Sequence, residues 1–469
     1  MQELTRTELE GFAEAKKDLF EQHLRTLVEI PSISADPDHR QDVFAVATAA
    51  CDILRSVGFE ADILNTRGTP IVHGRTHANP SWPTVSIYNH LDVQPANEPE
   101  WTSDPFKLKV DANNVYRGRG TTDDKGPALT ALLGAVAARD AGLPLNIQFI
   151  WETEEEIGSP SFEAALTEHR ERLGTGSIVV SDTIWVTRGR PSTPAGLRGL
   201  VSFSVSLETA AHDLHSGLVG GGARNPLSEL TWLIGQMVDG KTGEVKIPEF
   251  YASVDDLSIA EARDFAASGF SVERFMADHS LKSVRLEDPL DLMMALWARP
   301  TLEVHGIVGG YTGPGIKSAV PARAEAKLSC RLVPRMTTEA TLDLVSKFIH
   351  ARIPDAVITP VARLEPYHAR THGPYANAVR EAYRFGFGVG PAFTREGGSI
   401  GAVPTMQRIL GAEVYFLGLS LPEHGYHAPN ENYDWAQARG GIPMFAHYLE
   451  LVSRAGVHGE GVHGDGRSA

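Results

Sequence analysis

The apolar positions of this chain change texture along its length, and the changes divide it. In the first 30 residues Phe12, Leu19, Phe20, Leu24, Leu27 and Val28 recur at helical spacing. Residues 42–57 repeat that pattern and stop at Gly58. The run TVSIYNH at 84–90 is short, apolar and β-branched, which predicts a buried strand. An Ala/Leu helix over 126–141 follows and ends at Gly142. Strands are predicted at 146–151 and 178–182. Strands alternating with helices predict a mostly parallel sheet covered on both faces.

Near residues 196–200 the texture shifts. In VSFSVSLET, 201–209, Val201, Phe203, Val205 and Leu207 alternate with serines, the pattern of a half-exposed antiparallel strand. Residues 301–309 and 323–332 read the same way, and 337–352 is an amphipathic helix. From 373 onward a helix (374–386), a strand (413–418) and a helix (436–454) resume the first texture. The expected fold class is therefore α/β: a mixed, mostly parallel sheet sandwiched by helices, interrupted by an α+β insertion. The expected boundaries are 1–196 for the first part of the main domain, 197–370 for the insertion and 371–455 for the completing part. A Gly-rich tail, 456–469, is expected to be disordered.

Charge and composition narrow the function. The net charge is −16 and the sequence pI about 5.6. Such a surface argues against nucleic-acid binding, which needs clustered Lys and Arg, and against docking on anionic lipid. No signal peptide is read at the N-terminus, and the longest apolar stretch, around 127–138, is too short to span a bilayer. Cys51 and Cys330 lie far apart and read as buried free thiols, which fits a cytoplasmic protein.

The chemistry gathers where predicted strands end. HLDVQP (90–95) follows one strand, and GRGTTDDKG (118–126) opens the Ala-rich helix. ETEEEIGS (152–159), with four carboxylates in five positions, follows the next strand. Asp182 ends a third, and EHGYHAPNE (423–431) follows the last. Ligands bind at the carboxyl ends of strands in open α/β sheets. Taken alone, an HxD pair is commonly a surface pair, DDKG a helix start and an EEE run a solvated face. Together, imidazoles and carboxylates arriving from four strands are a metal-site inventory, and cations would let the carboxylates pack. Two such ions can polarise a carbonyl and activate a water.

These motifs, with DLHSG (213–217) and REGGSI (395–400), resemble the co-catalytic zinc metallopeptidase family of carboxypeptidase G, aminoacylase and succinyl-diaminopimelate desuccinylase. The likeness is greatest to its cytosolic non-specific dipeptidase and carnosinase branch and covers nearly the whole chain. It implies a zinc exopeptidase-like fold whose insertion is a lid and dimerisation domain. It implies two divalent ions, Zn²⁺ foremost, with Mn²⁺ or Co²⁺ as alternatives. His90 and Asp182 would hold one ion, Glu156 and His427 the other, and Asp123 would bridge them, with a cis peptide after Asp123. Asp92 would hydrogen-bond and orient the His90 imidazole, and Glu155 would be the general base. Glu152 and Glu154 receive no role and read as solvated or supporting. His215 would act in trans, in the partner subunit of a homodimer. Arg331 would bind the substrate's free carboxylate, with Ser318, Gly398 and Ser399 near the substrate backbone. The expected activity is metal-dependent hydrolysis of small dipeptides with a free C-terminal carboxylate. The alternative is an N-acyl-amino-acid deacylase using the same site. No nucleic-acid or membrane partner is expected.

Overall fold

The computed structural model describes residues 4–77 and 79–457. The N-terminal stripe forms two helices, Arg6–Ala15 and Lys17–Val28, broken at Lys16. They pack with the helix Arg40–Ser56, the helix Gly126–Asp140 and the long helix Trp435–Val457 around one large core. The helix Gly126–Asp140 is buried along nearly its whole length, which is why its sequence is apolar all round rather than striped.

The main sheet has six strands in the order 60–64, 71–75, 146–152, 84–90, 177–180, 413–416. The strands Thr84–His90, Asn146–Glu152, Ser177–Val180 and Glu413–Phe416 pair in parallel. The two at the other edge, Glu60–Leu64 and Ile71–Arg75, are antiparallel. The parallel strands are buried on both faces, as their unbroken apolar runs require. The sheet is thus mixed, with a parallel middle, and its last strand comes from beyond residue 400.

A second sheet lies wholly within the intervening stretch, in the order 301–309, 323–332, 199–208, 357–364, antiparallel throughout. Val201, Phe203, Val205 and Leu207 point to one face and join Leu328, Cys330, Val345 and Ile349 in a separate core. The alternate positions, Ser202, Ser204 and Ser206, stay half-buried. This is the inserted α+β unit. It also carries an element that periodicity does not reveal: short helices Ile259–Ala267, Val272–Asp278 and Pro289–Met293. Phe265, Met293 and Trp297 form a small third core there, against Val186 of the main unit.

Among the described residues no helix is long and apolar enough to cross a membrane. Cys51 and Cys330 are both buried and unpaired. Residues 458–469, most of the expected tail, lie outside the described residues.

Candidate metal centre and substrate cavity

His90 is the last residue of a buried parallel strand, and its neighbour in register is Glu152, the last residue of the adjoining strand. The chain therefore leaves the sheet at one level, and the polar ends of successive strands meet. Asp182 follows the strand Ser177–Val180 on the other side of His90. Asp123 enters from the loop before the helix Gly126–Asp140. Gly120 makes that loop possible: its φ is +86°, and a Cβ there would stand 2.7 Å from Val93 Cγ1. The Asp123–Asp124 peptide is cis.

The five expected ligands converge. His90 Nε2 lies 3.0 Å from Asp123 Oδ1 and 3.8 Å from Asp182 Oδ2. His427 Nε2 lies 3.0 Å from Asp123 Oδ2 and 3.1 Å from Glu156 Oε2. Ligand atoms of His90, Asp123 and Glu156 all lie within 4.8 Å of one another. Asp123 stands between the two histidines, one oxygen toward each.

The electrostatics call for cations. Among the described residues no Lys or Arg is paired with Asp123, Glu155, Glu156 or Asp182. Burial works against a charged His90, yet its contacts with Asp123 and Asp92 raise its pKa well above the ordinary value. The same kind of contact, with Asp123 and Glu156, takes His427 up to about 10. Burial raises Glu155 well above the carboxylate range, with Asp182, Glu156 and Glu152 adding to it, and takes Asp182 up to about 6. Without metal the imidazoles must borrow protons to balance the acids. Asp123 Oδ2 is buried and receives no well-aligned hydrogen bond. Two imidazoles and three carboxylates with an orphaned oxygen in their midst fit divalent cations.

The supporting residues are more specific than the sequence suggested. Asp92 meets the His90 imidazole chiefly through its backbone carbonyl, 3.1 Å from Nδ1, while its carboxylate stands 3.5 Å away. That carboxylate instead accepts the backbone N–H groups of Glu155, at 3.1 Å, and Glu156, at 3.0 Å. Asp92 thus meets the His90 imidazole as expected, more closely through its main chain, and its side chain also holds the main chain of Glu155 and Glu156. Glu152 and Glu154 are not solvated, being 0% and 4% exposed. Glu152 accepts the Tyr88 hydroxyl and the Ser159 hydroxyl. Glu154 accepts from Ser161 N–H and from Thr69 N–H and hydroxyl. An acidic run at the end of a central strand turns inward, because the strand before it is buried on both faces.

Three residues escaped the sequence reading. Glu431 accepts the backbone N–H groups of Gly120 (3.0 Å), Thr122 (2.9 Å) and Asp123 (3.1 Å), and pairs with Arg119 at 2.9 Å. It fixes the loop that presents Asp123. Tyr426 donates its hydroxyl to Asp182 Oδ1 at 2.8 Å, and Gln94 Nε2 donates to Glu156 Oε2 at 2.7 Å. Each lies inside a quoted motif, which was the only signal available.

Beside the centre is a cavity of about 690 Å³, within the roughly 300–1,000 Å³ usual for small-molecule sites. Asp123, Glu155, Asp182 and His427 line one end, and Gly398 and Ser399 line it as expected. Arg331 does not line it. Its Nη1 donates to Ser399 Oγ at 3.2 Å from behind, and Arg198 lines the cavity in its place. Ser318 and His215 are exposed on the inserted unit and do not line the cavity of this single chain. They lie beside each other, Ser216 N–H donating to Ser318 O at 3.0 Å.

The chain is similar to known proteins over most of its length. The family model described as Peptidase family M20/M25/M40 matches residues 86–451. The Cys-Gly metallodipeptidase of Saccharomyces cerevisiae is 31% identical, over 94% of this chain and 96% of that one. The Beta-Ala-His dipeptidase of Rattus norvegicus is 30% identical, over 94% of each. The crystal structure of an M20 family metallo-carboxypeptidase from Sulfolobus solfataricus superposes with a TM-score of 0.84 at 27% identity, covering 93% of this chain and 99% of that one.

Proposed function

The chain belongs to peptidase family M20/M25/M40, a family of metal-dependent hydrolases, and from that premise we propose a metal-dependent dipeptidase acting through two divalent ions. The observation that carries the reading is the convergence of His90, Asp123, Glu156, Asp182 and His427 beside a cavity that Asp123, Asp182 and His427 line. His90 and Asp182 would hold one ion, Glu156 and His427 the other, with Asp123 between them; Zn²⁺ is the proposed metal. When bound, the ions polarise the scissile carbonyl and lower the pKa of the attacking water.

The chain's own groups do the rest. Glu155 lines the cavity, where its carboxylate would take a proton from water and deliver it to the departing amine. Asp92 keeps that carboxyl in place through the backbone of Glu155. Arg331, which reaches the cavity wall through Ser399, would take the free C-terminal carboxylate. Glu396 also lines the cavity; burial, and then Asp182, push its pKa up to about 8. A substrate ammonium beside Glu396 would favour its charged form and pair with it. An N-acyl amino acid brings no ammonium, so the geometry favours a dipeptidase over a deacylase, as do the full-length relatives.

We further propose the boundaries 197–370 for the inserted unit, and a homodimer through it with His215 acting in the partner's site. Leu218 and Ile316, beside His215 and Ser318, are 84% and 96% exposed, and the edge strand Thr301–Gly309 leaves Val304, Ile307 and Val308 in solvent. Such a surface is covered in a stable assembly. A reducing, cytoplasmic setting accords with the free thiols of Cys51 and Cys330.

The test is hydrolysis of a mixed panel by metal-loaded protein, read by mass spectrometry. The panel holds free dipeptides, β-alanyl dipeptides, a tripeptide and N-acetyl amino acids. Cleavage of dipeptides with the N-acetyl compounds untouched supports the reading; cleavage of N-acetyl compounds alone replaces it with deacylation.

A further inference from the structure

The cation that lines the cavity is not the one the motifs point to. Arg198 is the single residue between the strands Ser192–Leu197 and Gly199–Glu208, at the crossover from the main unit into the inserted one. Its backbone is pinned from both directions: its N–H donates to Glu396 O at 3.1 Å, and its carbonyl accepts the Ser399 hydroxyl. Its side chain is fixed as well. Nε donates to Gly397 O at 3.3 Å, and Nη2 lies against Gly397, 2.9 Å from where a Cβ would stand. Arg331 arrives from the inserted unit's strand Arg323–Leu332 and donates to the same Ser399 hydroxyl. The Ser399 hydroxyl thus joins the Arg331 guanidinium to the main chain of Arg198 across the two units.

Neither guanidinium has an ion-pair partner among the described residues. Glu303 is the carboxylate whose field acts on Arg198, and it does not come within ion-pair distance. The other arginines lining the cavity are engaged elsewhere: Arg395 pairs with Glu261, and Arg274 donates to Thr187. Burial, and then the charge of Arg331, bring the pKa of Arg198 down to about 10. A half-buried guanidinium on the cavity wall with no ion-pair partner among the described residues, and a second bonded to Ser399 on the same wall, suit anionic oxygens. A single carboxylate satisfies one fork bidentately and leaves the other.

We propose that Arg198 and Arg331 form a paired anion site that takes two carboxylates of one substrate, so that the enzyme favours dipeptides whose C-terminal residue is Asp or Glu. This rests on the dipeptidase reading and adds Arg198 as its specificity-determining residue.

The test compares Ala-Glu with Ala-Gln, which match in size and differ in charge, using metal-loaded protein. The wild type is expected to favour Ala-Glu by about tenfold or more in kcat/KM, because a site with an unpaired cation rejects the neutral analogue. Arg198→Gln should bring that ratio near one, through the KM of Ala-Glu rather than kcat. Arg198→Lys should keep part of it. Equal rates for the two peptides in the wild type, or an unchanged ratio in Arg198→Gln, overturn the proposal. Calorimetry with free L-glutamate and L-glutamine separates this from the function itself. If no dipeptide is cut, the dipeptidase reading falls. A glutamate preference that Arg198→Gln abolishes then still upholds the pair, and its absence in the wild type overturns it.

Discussion

The Asp92 carboxylate and the Glu155 backbone are joined by a hydrogen bond of 3.1 Å, and the second oxygen of Asp92 takes the N–H of Glu156. One buried side chain, two residues beyond His90, thereby sets the position of both the proposed base and the proposed ligand Glu156. Asp92→Asn keeps the shape but turns one acceptor into a donor facing an N–H. The expected result is a loss of roughly 10–100-fold in kcat with the fold intact, the usual scale for groups that orient metal ligands. Steady-state kinetics beside circular dichroism checks this; unchanged kcat would detach Asp92 from the catalytic loop.

Glu431 does the same for Asp123. It receives three backbone N–H groups and the Arg119 guanidinium. In Glu431→Gln the amide NH₂ must face one of these donors, a buried mismatch that costs about 1–3 kcal/mol. A lower Tm and weaker metal retention against a competing chelator are expected together. A variant with a normal Tm and normal metal retention would remove Glu431 from this role.

Glu152 gives a stability signature. Burial comes first among the causes that push its pKa from 4.5 up to about 8, so the folded protein holds a proton the unfolded chain releases. The folded pKa is raised. The contribution is therefore complete below pH 4.5 and is lost as pH climbs through about 8. Between those limits stability should fall by up to about 1.4 kcal/mol per pH unit from this group. Glu152→Gln should remove that slope, measured by urea unfolding of the chelated protein across pH; parallel curves for both proteins would contradict it.

The strand ends and the convergence of the expected metal ligands were legible because their signals are local. His90 closes an apolar run, and Asp182, Glu156 and His427 each follow one. Alternation in 201–207 marked the second sheet equally well. The helices between 259 and 293 were not, because their apolar residues, Phe265 and Met293, serve a small core shared with Val186 rather than a continuous face. For Glu152 and Glu154 the solvated and the supporting readings stayed open because a run of acids ordinarily marks solvent. The register of Glu152 with His90, at the end of a buried central strand, decides for the supporting one. Arg198 carries no motif at all; its importance comes from Gly397, Ser399 and Arg331, far away in sequence.

The exposed position of His215, outside the cavity of its own chain, leads to a complementation test. His215→Ala and Glu155→Gln should each lose activity by several orders of magnitude. Mixing them under subunit exchange should restore a part, since a hybrid dimer holds one site with both residues. Verified exchange without recovery would rule out action in trans.

The central claim is that metal held by His90, Asp123, Glu156, Asp182 and His427 carries peptide hydrolysis. The most direct measurement titrates Zn²⁺ into fully chelated protein, reading bound metal, dipeptide cleavage and circular dichroism on the same samples. The predicted result is a folded but inactive chelated protein whose activity rises with metal and levels off at about two ions per chain. Cleavage that persists without metal, or a site that fills without restoring cleavage, would contradict the account.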